Sequence, residues 1–307
     1  MDKKAVPAGR QVDLSVIVLN YNTKELLRNC LESIEKARRN NFLFETIIVD
    51  NASIDGSPQM VKEQFPRVKL IKNSENYGFA KGNNVGIRQS CGRYLLLLNS
   101  DTEVACETLA AMINFMDKTK EAGLATCRVE LTDGDLDPAC HRGFPTPWAS
   151  LTYMLGLERL FPRSRIFAQY HQTFKDLEMP HQIDATTGAF FLLRREILKQ
   201  VGYLDEDYFM YGEDLDWAYR IKKAGWQVWY NPKVKIIHHK KQSGRAKNLE
   251  GEEAERVRGI RKKSTNYFYE TMKIFYRKHY DKQYPQALTA LVMFGIEIKR
   301  RLTLDRI

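Results

Sequence analysis

The sequence predicts an α/β protein with a mostly parallel central sheet and a C-terminal helical tail. Three observations support this fold class. Apolar runs alternate with amphipathic segments through about the first 130 residues, at the spacing of β-α-β units. One run, Tyr94–Leu98, is apolar throughout, which is typical of a strand buried on both faces. After residue 250, two long helical patterns follow with no strand between them.

The first half is predicted to contain four strands, each followed by a helix. The strands are expected at Leu14–Leu19, Glu45–Asp50, Val68–Ile71 and Tyr94–Asn99. The helices are expected at Lys24–Arg39, Ser57–Phe65, Ala80–Ser90 and Cys106–Lys118. If the strands are parallel neighbours, the turns after them share one rim, where ligands of open α/β sheets bind.

The second half begins with an irregular segment, Leu131–Ile183, whose prolines interrupt any long element, as in a substrate loop or lid. Regular patterns then return. They predict a strand at Ala189–Leu193, helices at Arg195–Val201 and Glu213–Ala224, extended chain at Trp226–Ile237, and helices at Glu252–His279 and Pro285–Leu302.

Composition narrows the class of protein. No apolar window is long enough to span a bilayer, and the polar N-terminus, Met1–Arg10, lacks the apolar core of an export signal. Five cysteines without a CxxC spacing indicate reduced thiols. These features predict a cytoplasmic protein. Neither G-x-G-x-x-G after the first strand nor a P-loop motif occurs, so nucleotide binding would depend on carboxylates and a metal.

The net charge of +10 is concentrated in the tail, where Glu255–Ile307 has 13 Lys and Arg against 5 Asp and Glu. A basic tail on a near-neutral body favours an anionic partner, either a membrane surface or nucleic acid. No nucleic-acid-binding module accompanies it, so we expect no nucleic-acid partner. A helical cap that packs on the catalytic domain or on another subunit is the alternative.

Polar groups follow the first, second and fourth strands. Asp50 can accept the imide N–H of a uracil or thymine ring, and Tyr21 offers a stacking face. Asp101 follows the apolar strand, where a metal or phosphate would bind, although Ser100 and Asp101 are also good helix caps. The segment Asn76–Gly86 adds glycines that would let backbone approach a ligand, and a lysine for phosphate charge.

A second acidic cluster opens the helix predicted at Glu213. The helix dipole favours ionised carboxylates in the first turn, and an ionised carboxylate is the form that a general base needs. Nearby aromatic residues favour a sugar- or nucleotide-lined cleft over a solvated helix cap; they are Tyr208, Phe209, Tyr211 and Trp217. His238 or His239, at the end of an extended segment, could bind a divalent cation together with Asp101.

In order and spacing these segments resemble the family 2 inverting glycosyltransferases with the GT-A fold, a Rossmann-like nucleotide-diphospho-sugar transferase fold, and in particular the bacterial rhamnosyltransferase-like branch. The resemblance covers about residues 13 to 245. The matching motifs are Ser15–Asn22, Ile48–Ser53, Asn76–Ala80 with Asn83–Gly86, Leu98–Thr102, Thr187–Phe190, Gly202–Asp205, Tyr211–Trp217 and Arg220–Gly225.

The resemblance implies a role for each matching residue. Asp214 is the expected general base, with Asp216 as second candidate, and Asp101 and His238 are expected to bind Mg²⁺ or Mn²⁺, with His239 as the alternative histidine. Asn99 replaces the first carboxylate of the family's Asp-x-Asp motif, which implies a weaker metal site. The expected donor-binding residues are Leu19, Tyr21, Asp50, Asn51, Asn76, Phe79, Lys81, Asn83, Asn99 and Ser100. The acceptor-side candidates are Glu213, Asp216, Trp217 and Tyr211.

The function implied is inverting transfer of a sugar, with rhamnose from dTDP-rhamnose favoured and uridine-diphosphate sugars next, to a hydroxyl of a glycan or lipid-linked acceptor in cell-surface polysaccharide synthesis. A catalytic domain is expected at residues 1–250, with a donor half at 13–130 and an acceptor half at 131–250. The basic tail, 251–307, would hold the protein peripherally on the inner face of the membrane or contact another subunit of a homo-oligomer. A sugar nucleotidyltransferase and an inactive nucleotide-sugar-binding subunit are the alternative functions.

Overall fold

In the computed structural model, which describes residues 11–37, 42–240 and 252–307, a nine-stranded sheet forms the centre of the molecule. Its strands are β1 (Leu14–Asn20), β2 (Phe44–Asp50), β3 (Lys69–Lys72), β4 (Tyr94–Asn99), β5 (Thr102–Val104), β6 (Ala122–Leu131), β7 (His181–Ile183), β8 (Phe190–Arg194) and β9 (Gln227–His238). The described helices are α1 (Lys24–Lys36), α2 (Ser57–Gln64), α3 (Gly78–Arg88), α4 (Thr108–Lys118), α5 (Pro147–Met154), α6 (Leu157–Leu160), α7 (Leu198–Val201), α8 (Glu213–Lys223), α9 (Glu252–His279) and α10 (Gln286–Leu304).

The first four strands form the predicted parallel unit, in the spatial order β3-β2-β1-β4. Beyond β4 the sheet is mixed, because β8 pairs antiparallel with both β4 and β6, while β6 pairs parallel with β9. The short strands β5 and β7 both pair antiparallel with β9. The chain reaches β8 through the long irregular segment rather than a helical crossover, so no β-α-β rule requires a parallel pairing there.

The predicted bounds of most elements lie within two residues of those in the structure. The strands β5, β6 and β7 were not predicted. The predicted end of α1 at Arg39 and the domain boundary at residue 250 lie outside the described residues. In the irregular segment, the structure has only the short elements α5, α6 and β7 besides turns and 3₁₀ helix.

Burial on both faces explains the apolar run of β4, since Leu95 through Leu98 are each at most 2% exposed. Each such leucine contributes about 1.5–3 kcal/mol through burial. The glycines of α3 have a packing role that differs from the prediction. A Cβ on Gly82 would lie 2.6 Å from Leu19 Cδ1, and one on Gly86 would lie 2.6 Å from Ile17 Cγ2. These glycines therefore let α3 approach β1, rather than letting backbone approach a ligand.

The C-terminal helices α9 and α10 pack on α8 and the segment before it. An aromatic cluster joins Tyr208 to α9, with Phe275, Tyr276 and Tyr280 all nearly buried. The carboxylate of Asp216 in α8 is bonded to two residues of α9, Lys278 and His279. The packing predicted as the alternative for the tail is thus present. Among the described residues, none of the helices is both long and apolar enough to cross a membrane.

Candidate active site

The turns after β1, β2 and β4 lie on one rim of the sheet, as predicted. Asn20 is the register partner of Asp50, and Leu19 is that of Asn99. Parallel pairing therefore places the end of β1 directly between the other two strand ends. A ligand along this rim could contact residues from all three turns.

Asp50 is a fixed, buried carboxylate with 2% exposure. Its Oδ1 accepts a hydrogen bond from Asn20 Nδ2 at 2.8 Å, and its Oδ2 accepts one from the Ser53 backbone N–H at 2.9 Å. Each carboxylate oxygen retains acceptor capacity for one more donor. Tyr21, in the next turn, is half exposed, so its ring is accessible for stacking.

A chain of hydrogen bonds links Asp50 to the end of β4. The amide oxygen of Asn20 accepts from Thr23 Oγ1 at 2.7 Å, and that hydroxyl lies 2.9 Å from Ser100 Oγ. The Asn20 side chain is therefore hydrogen-bonded to Asp50 at the end of β2 and, through Thr23, to Ser100 after β4. This chain holds the turns after β1, β2 and β4 in a fixed relationship.

The amide side chains of Asn51, Asn76 and Asn83 bond to one another or to nearby backbone. Asn51 Nδ2 donates to Asn76 Oδ1 and to the Gly78 carbonyl, both at 3.1 Å, and Asn83 Nδ2 donates to the Phe79 carbonyl. In this arrangement these side chains determine the shape of the loop, and direct contact with a donor stays a prediction.

The two other donor-binding candidates of α3 lie at its N-terminal end. Lys81 is exposed, with its Nζ 4.3 Å from the centre of the Tyr77 ring. Phe79 packs directly on Gly188, because a Cβ atom added to Gly188 would lie 2.7 Å from the Phe79 ring. Phe79 thus brings α3 against the turn before β8, while Lys81 keeps its charge at the surface.

Asp101 and His238 meet at the end of β4. His238 is 4% exposed, and its Nε2 lies 3.2 Å from Asp101 Oδ1 while its Nδ1 lies 3.0 Å from Asp137 Oδ2. Burial lowers the pKa of His238, but the hydrogen bonds to both carboxylates outweigh burial and raise it to about 9. A carboxylate behind a histidine fixes the ring orientation of metal-binding histidines.

The neighbouring histidine has a different partner, because His239 Nε2 lies 2.8 Å from Glu103 Oε1. Thus the His238 side chain, rather than that of His239, contacts the Asp101 carboxylate, while the His239 backbone N–H donates to the Asp101 carbonyl at 2.8 Å. Oxygen and imidazole nitrogen are suitable ligands for Mg²⁺ or Mn²⁺. Asp101 and His238 are placed to hold such an ion as a pair once His238 has released its proton. The described part of the chain has no group of three or more His, Cys, Asp or Glu placed to hold a metal, so the remaining ligands would have to come from elsewhere.

Asp214 lies in the first turn of α8 and is 9% exposed. Its Oδ2 accepts a hydrogen bond from Arg142 Nη2 at 2.7 Å, and its Oδ1 accepts one from the Leu215 backbone N–H at 2.7 Å. The same Arg142 nitrogen also donates to the Thr186 carbonyl at 3.2 Å. The carboxylate is therefore held in one orientation at the start of the helix.

Glu213, next to Asp214, is a second buried acid. Its Oε2 has no hydrogen-bond partner among the described residues. Burial raises the pKa of Glu213, and the adjacent charge of Asp214 raises it further. Glu213 is thus favoured in its protonated form, which can donate a proton but cannot accept one.

Two acceptor-side candidates lie elsewhere than predicted. The carboxylate of Asp216 is fully buried against Arg220 and the tail. Burial alone would raise the pKa of Asp216, but the bonds to His279 and the neighbouring cations outweigh burial and lower the pKa to about 2. Such a carboxylate is a poor proton acceptor. Trp217 is fully buried and stacks on Phe191, with 5.3 Å between ring centroids. Asp216 stabilises the docked tail, and Trp217 belongs to the core.

The aromatic residues before α8 also have a structural role that the sequence did not indicate. Tyr208 is fully buried, and Phe209 stacks on Tyr267 of α9 at 4.7 Å. Tyr211 remains 41% exposed, with its hydroxyl 2.8 Å from Ser264 Oγ. The predicted aromatic cleft is therefore largely the docking surface for α9.

Asp137 and Arg142 contribute to the site but were missed in the sequence. They lie in the irregular segment, 101 residues from His238 and 72 residues from Asp214 respectively. No spacing rule connects residues that far apart. The one available signal is their position: charged residues in a long loop that follows a strand are candidates for the site that the loop covers.

This chain is similar to known glycosyltransferases. The model of glycosyl transferase family 2 matches residues 15–202. The N-acetylglucosaminyl-diphospho-decaprenol L-rhamnosyltransferase of Mycobacterium tuberculosis is 27% identical over 242 residues, which cover 75% of this chain and 77% of the relative. Rhamnosyltransferase WbbL of Escherichia coli is 26% identical over 233 residues, which cover 73% of this chain and 82% of the relative.

Solved structures show the same fold. The mannosyltransferase PcManGT of Pyrobaculum calidifontis, in complex with GDP-Man and Mn²⁺, has a TM-score of 0.57 and 17% identity, with coverage of 97% of this chain and 73% of that one. GalNAc-T7 with UDP, GalNAc and Mn²⁺ has a TM-score of 0.55 and 17% identity, with coverage of 75% of this chain and 44% of the GalNAc-T7 chain. The chain belongs to glycosyl transferase family 2, in the rhamnosyltransferase-like branch with the GT-A fold.

Proposed function

We propose that this glycosyltransferase moves rhamnose from dTDP-rhamnose, with inversion, to a hydroxyl of a lipid-linked glycan. The observation that supports this most directly is the alignment of Asp50 and Asp101 on one rim, connected through Asn20, Thr23 and Ser100. A nucleotide diphosphate has a base at one end and a charged diphosphate at the other. The rim offers the buried carboxylate of Asp50 for the base and the Asp101–His238 pair for the diphosphate.

The base would bind at Asp50, whose free lone pairs can accept the imide N–H of thymine or uracil. The accessible ring of Tyr21 would stack on the base, and the shaped loop from Asn76 to Phe79 would border the donor. Asn99 and Ser100 would lie between base and diphosphate. Relatives that act as rhamnosyltransferases favour the rhamnose donor over a uridine-diphosphate sugar.

Asp101 and His238 would hold Mg²⁺ or Mn²⁺, with the diphosphate oxygens of the donor as further ligands. When bound there, the ion neutralises charge on the leaving diphosphate. Asn99 in place of a first carboxylate leaves few protein ligands, so metal and donor should bind together. Mn²⁺ in two structural neighbours supports this assignment.

Asp214 would accept the proton of the attacking hydroxyl, with Arg142 holding the carboxylate in its orientation. The hydroxyl then attacks the anomeric carbon from the face opposite the diphosphate, and this one displacement inverts the configuration. Protonated Glu213 is suited to orient the acceptor by donating a hydrogen bond. Tyr211, accessible beside α9, is a further acceptor-side residue.

The tail would bind the protein to the membrane surface near its acceptor. On α10, four exposed apolar residues recur at helical spacing: Leu291, Phe294, Ile298 and Leu302. Basic residues follow along the same helix, including Arg301 with a largely exposed side chain. An amphipathic helix of this composition can lie on an anionic surface. The decaprenol-linked substrate named for the mycobacterial relative supports a lipid-linked acceptor.

The test is a transfer assay with a panel of nucleotide sugars and a polyprenyl-diphosphate-linked N-acetylglucosamine acceptor, with Mn²⁺, with Mg²⁺ and with EDTA. We expect product only from dTDP-rhamnose with a divalent ion, and NMR should show the inverted anomer. Transfer from another donor would refute the rhamnose assignment, and a retained anomer would refute the role of Asp214.

The reduced metal site supports one alternative, an inactive subunit that binds nucleotide sugar. Asn99 in place of a carboxylate is the observation in its favour. Calorimetric binding of dTDP-rhamnose without any transfer, across the acceptor panel, would establish that alternative. A sugar nucleotidyltransferase is disfavoured because the turn after β1 is Asn20-Tyr21-Asn22 rather than a Gly-rich basic loop.

A further inference from the structure

The segment Pro147–Phe167, which contains α5 and α6, has an unusually apolar surface. Eight of its large apolar side chains are each at least 44% exposed. They are Trp148, Leu151, Tyr153, Met154, Leu155, Leu160, Phe161 and Ile166. Contiguous apolar surface of this kind on a soluble domain marks an interaction site.

The segment is ordered by its own contacts, so the exposure does not reflect a lack of structure. Trp148 Nε1 donates to the Ile166 carbonyl at 2.9 Å, which ties the two ends of the segment together. Thr146 caps α5 by accepting from the Ala149 N–H at 3.1 Å. Small or polar residues point inward, including the fully buried Thr152, while the large apolar ones face outward.

Charge identifies the partner. Arg159, Arg163 and Arg165 are exposed in the same segment. Its one acid, Glu158, is nearly buried and pairs with His171 Nδ1 at 2.6 Å. Exposed aromatic and aliphatic residues among arginines match the boundary between acyl chains and anionic headgroups. A twofold contact with a second copy would instead bring the arginines of both copies close together.

We propose that Pro147–Phe167 is a membrane-contacting element that inserts its apolar side chains into an anionic lipid surface, separately from α10. The inference also rests on the proposed function in one respect, the lipid-linked acceptor. Tyr153 packs on Tyr170 at 5.0 Å, and the Tyr170 carbonyl accepts from the N–H of Gly143, the residue after Arg142. The element therefore borders the residue that holds Asp214, and would bring the proton acceptor close to the bilayer.

Vesicle binding of the full-length protein tests the element without donor or acceptor, so its outcome does not depend on the rhamnose assignment. Vesicles of phosphatidylglycerol and phosphatidylcholine are compared with phosphatidylcholine alone in a flotation assay. Leu155→Ser with Phe161→Ser should weaken binding at least about tenfold, because two large apolar side chains no longer enter the acyl region. Replacing the three arginines with glutamine should reduce the preference for the anionic vesicles to the part that the basic tail supplies.

Two controls accompany the assay. Ile54→Ser removes a still more accessible apolar side chain outside the segment, at 88% exposure, and should bind vesicles as the parent does. Brominated lipids placed in the outer acyl region should quench the fluorescence of the parent protein, and this added quenching should disappear in Trp148→Phe. The second readout reports local insertion even if a variant is less stable.

Specific results would overturn the proposal. One is vesicle binding by the Leu155→Ser, Phe161→Ser protein equal to that of the parent, and another is equal quenching of the parent and Trp148→Phe. A third is a concentration-dependent dimer, seen by light scattering, that the same double substitution abolishes, because the surface would then be covered by a second copy. Failure of rhamnose transfer, with these vesicle results as expected, would count against the proposed function alone.

Discussion

Arg142 donates a hydrogen bond through Nη2 to Oδ2 of Asp214 at 2.7 Å, and each side chain is 12% exposed. This contact joins the loop after β6 to the first turn of α8. Arg142 also bonds to the Thr186 carbonyl, so its position is fixed independently of Asp214. A buried carboxylate with such a partner is held in one orientation. The pair therefore explains how a proposed base can be held at the N-terminus of a helix.

Asp214→Asn should abolish transfer while preserving donor binding. The amide occupies the same space but cannot accept a proton, and loss of general base catalysis typically costs about 10²- to 10⁴-fold in kcat. Initial rates give kcat, and calorimetry with dTDP-rhamnose gives the donor affinity. Asp207→Asn, at an exposed acid nearby, is the matched control. Unchanged transfer by Asp214→Asn would exclude Asp214 as the base.

Arg142→Met should lower both stability and kcat. Removal of one partner from a buried ion pair leaves the other charge uncompensated and typically costs about 3–5 kcal/mol. Urea unfolding measures the stability. Asp214→Asn in the same background should recover part of that loss, because the uncompensated charge is then removed. If the double variant is as unstable as Arg142→Met, the coupling between the two residues is not electrostatic.

Asp137→Asn should weaken Mn²⁺ binding about 10–100-fold although Asp137 would not touch the ion. The carboxylate orients the His238 ring through Nδ1, so an amide in its place alters the ring's orientation and basicity. Electron paramagnetic resonance of Mn²⁺ with dTDP present measures the affinity. His239→Ala is the control and should leave it unchanged, because His239 bonds to Glu103 instead. Equal loss in both variants would contradict the two-residue site.

Asp216→Asn should loosen the tail from α8. Bonds to His279 and neighbouring cations lower the pKa of Asp216 to about 2, below its value of about 3.9 in an unfolded chain. The contribution to stability is therefore complete above about pH 4 and is lost as the pH falls towards 2. Thermal unfolding from pH 2 to 7 should show a smaller acid-induced decrease in Asp216→Asn than in the parent. Parallel pH profiles would contradict the assignment.

Glu213→Gln should stabilise the protein in alkaline solution. The pKa of Glu213 is raised by burial, so the native state keeps a proton that the unfolded chain releases above about pH 4.3. Stability of the parent should therefore fall as the pH rises from that value towards the native pKa. Glutamine has no proton to release and should flatten that part of the profile. Glu206→Gln, at a more exposed glutamate, is the comparison, and an identical effect there would contradict this role for Glu213.

Local pattern was sufficient for the parallel half of the sheet. The strand bounds of β1, β2 and β4 follow from apolar runs, and the rim that unites Asp50 and Asp101 follows from parallel pairing. Even α9 begins and ends at the predicted residues, Glu252 and His279. Short-range periodicity determines these features, because each depends on which residues of one element face the core.

Local pattern was not sufficient to predict the roles of the polar and aromatic residues. Asp214 and Asp216 are both in the first turn of α8, yet one contacts Arg142 and the other faces α9. Trp217 and Tyr208 appeared suited to a sugar-binding cleft, and both are buried. Side chains two residues apart on a helix point in different directions, so their partners depend on which elements pack on each face.

The sequence by itself determined the fold class, the parallel half of the sheet, the family and the residues at the ends of its strands, because these depend on periodicity and motif order. Only the tertiary structure decided that the imidazole of His238, rather than that of His239, contacts the Asp101 carboxylate, and that Asp137 and Arg142 support the site from a loop. It also decided that the tail packs on α8. Those relationships join residues that are far apart in the chain, and the packing of whole elements, rather than any local pattern, brings them into contact.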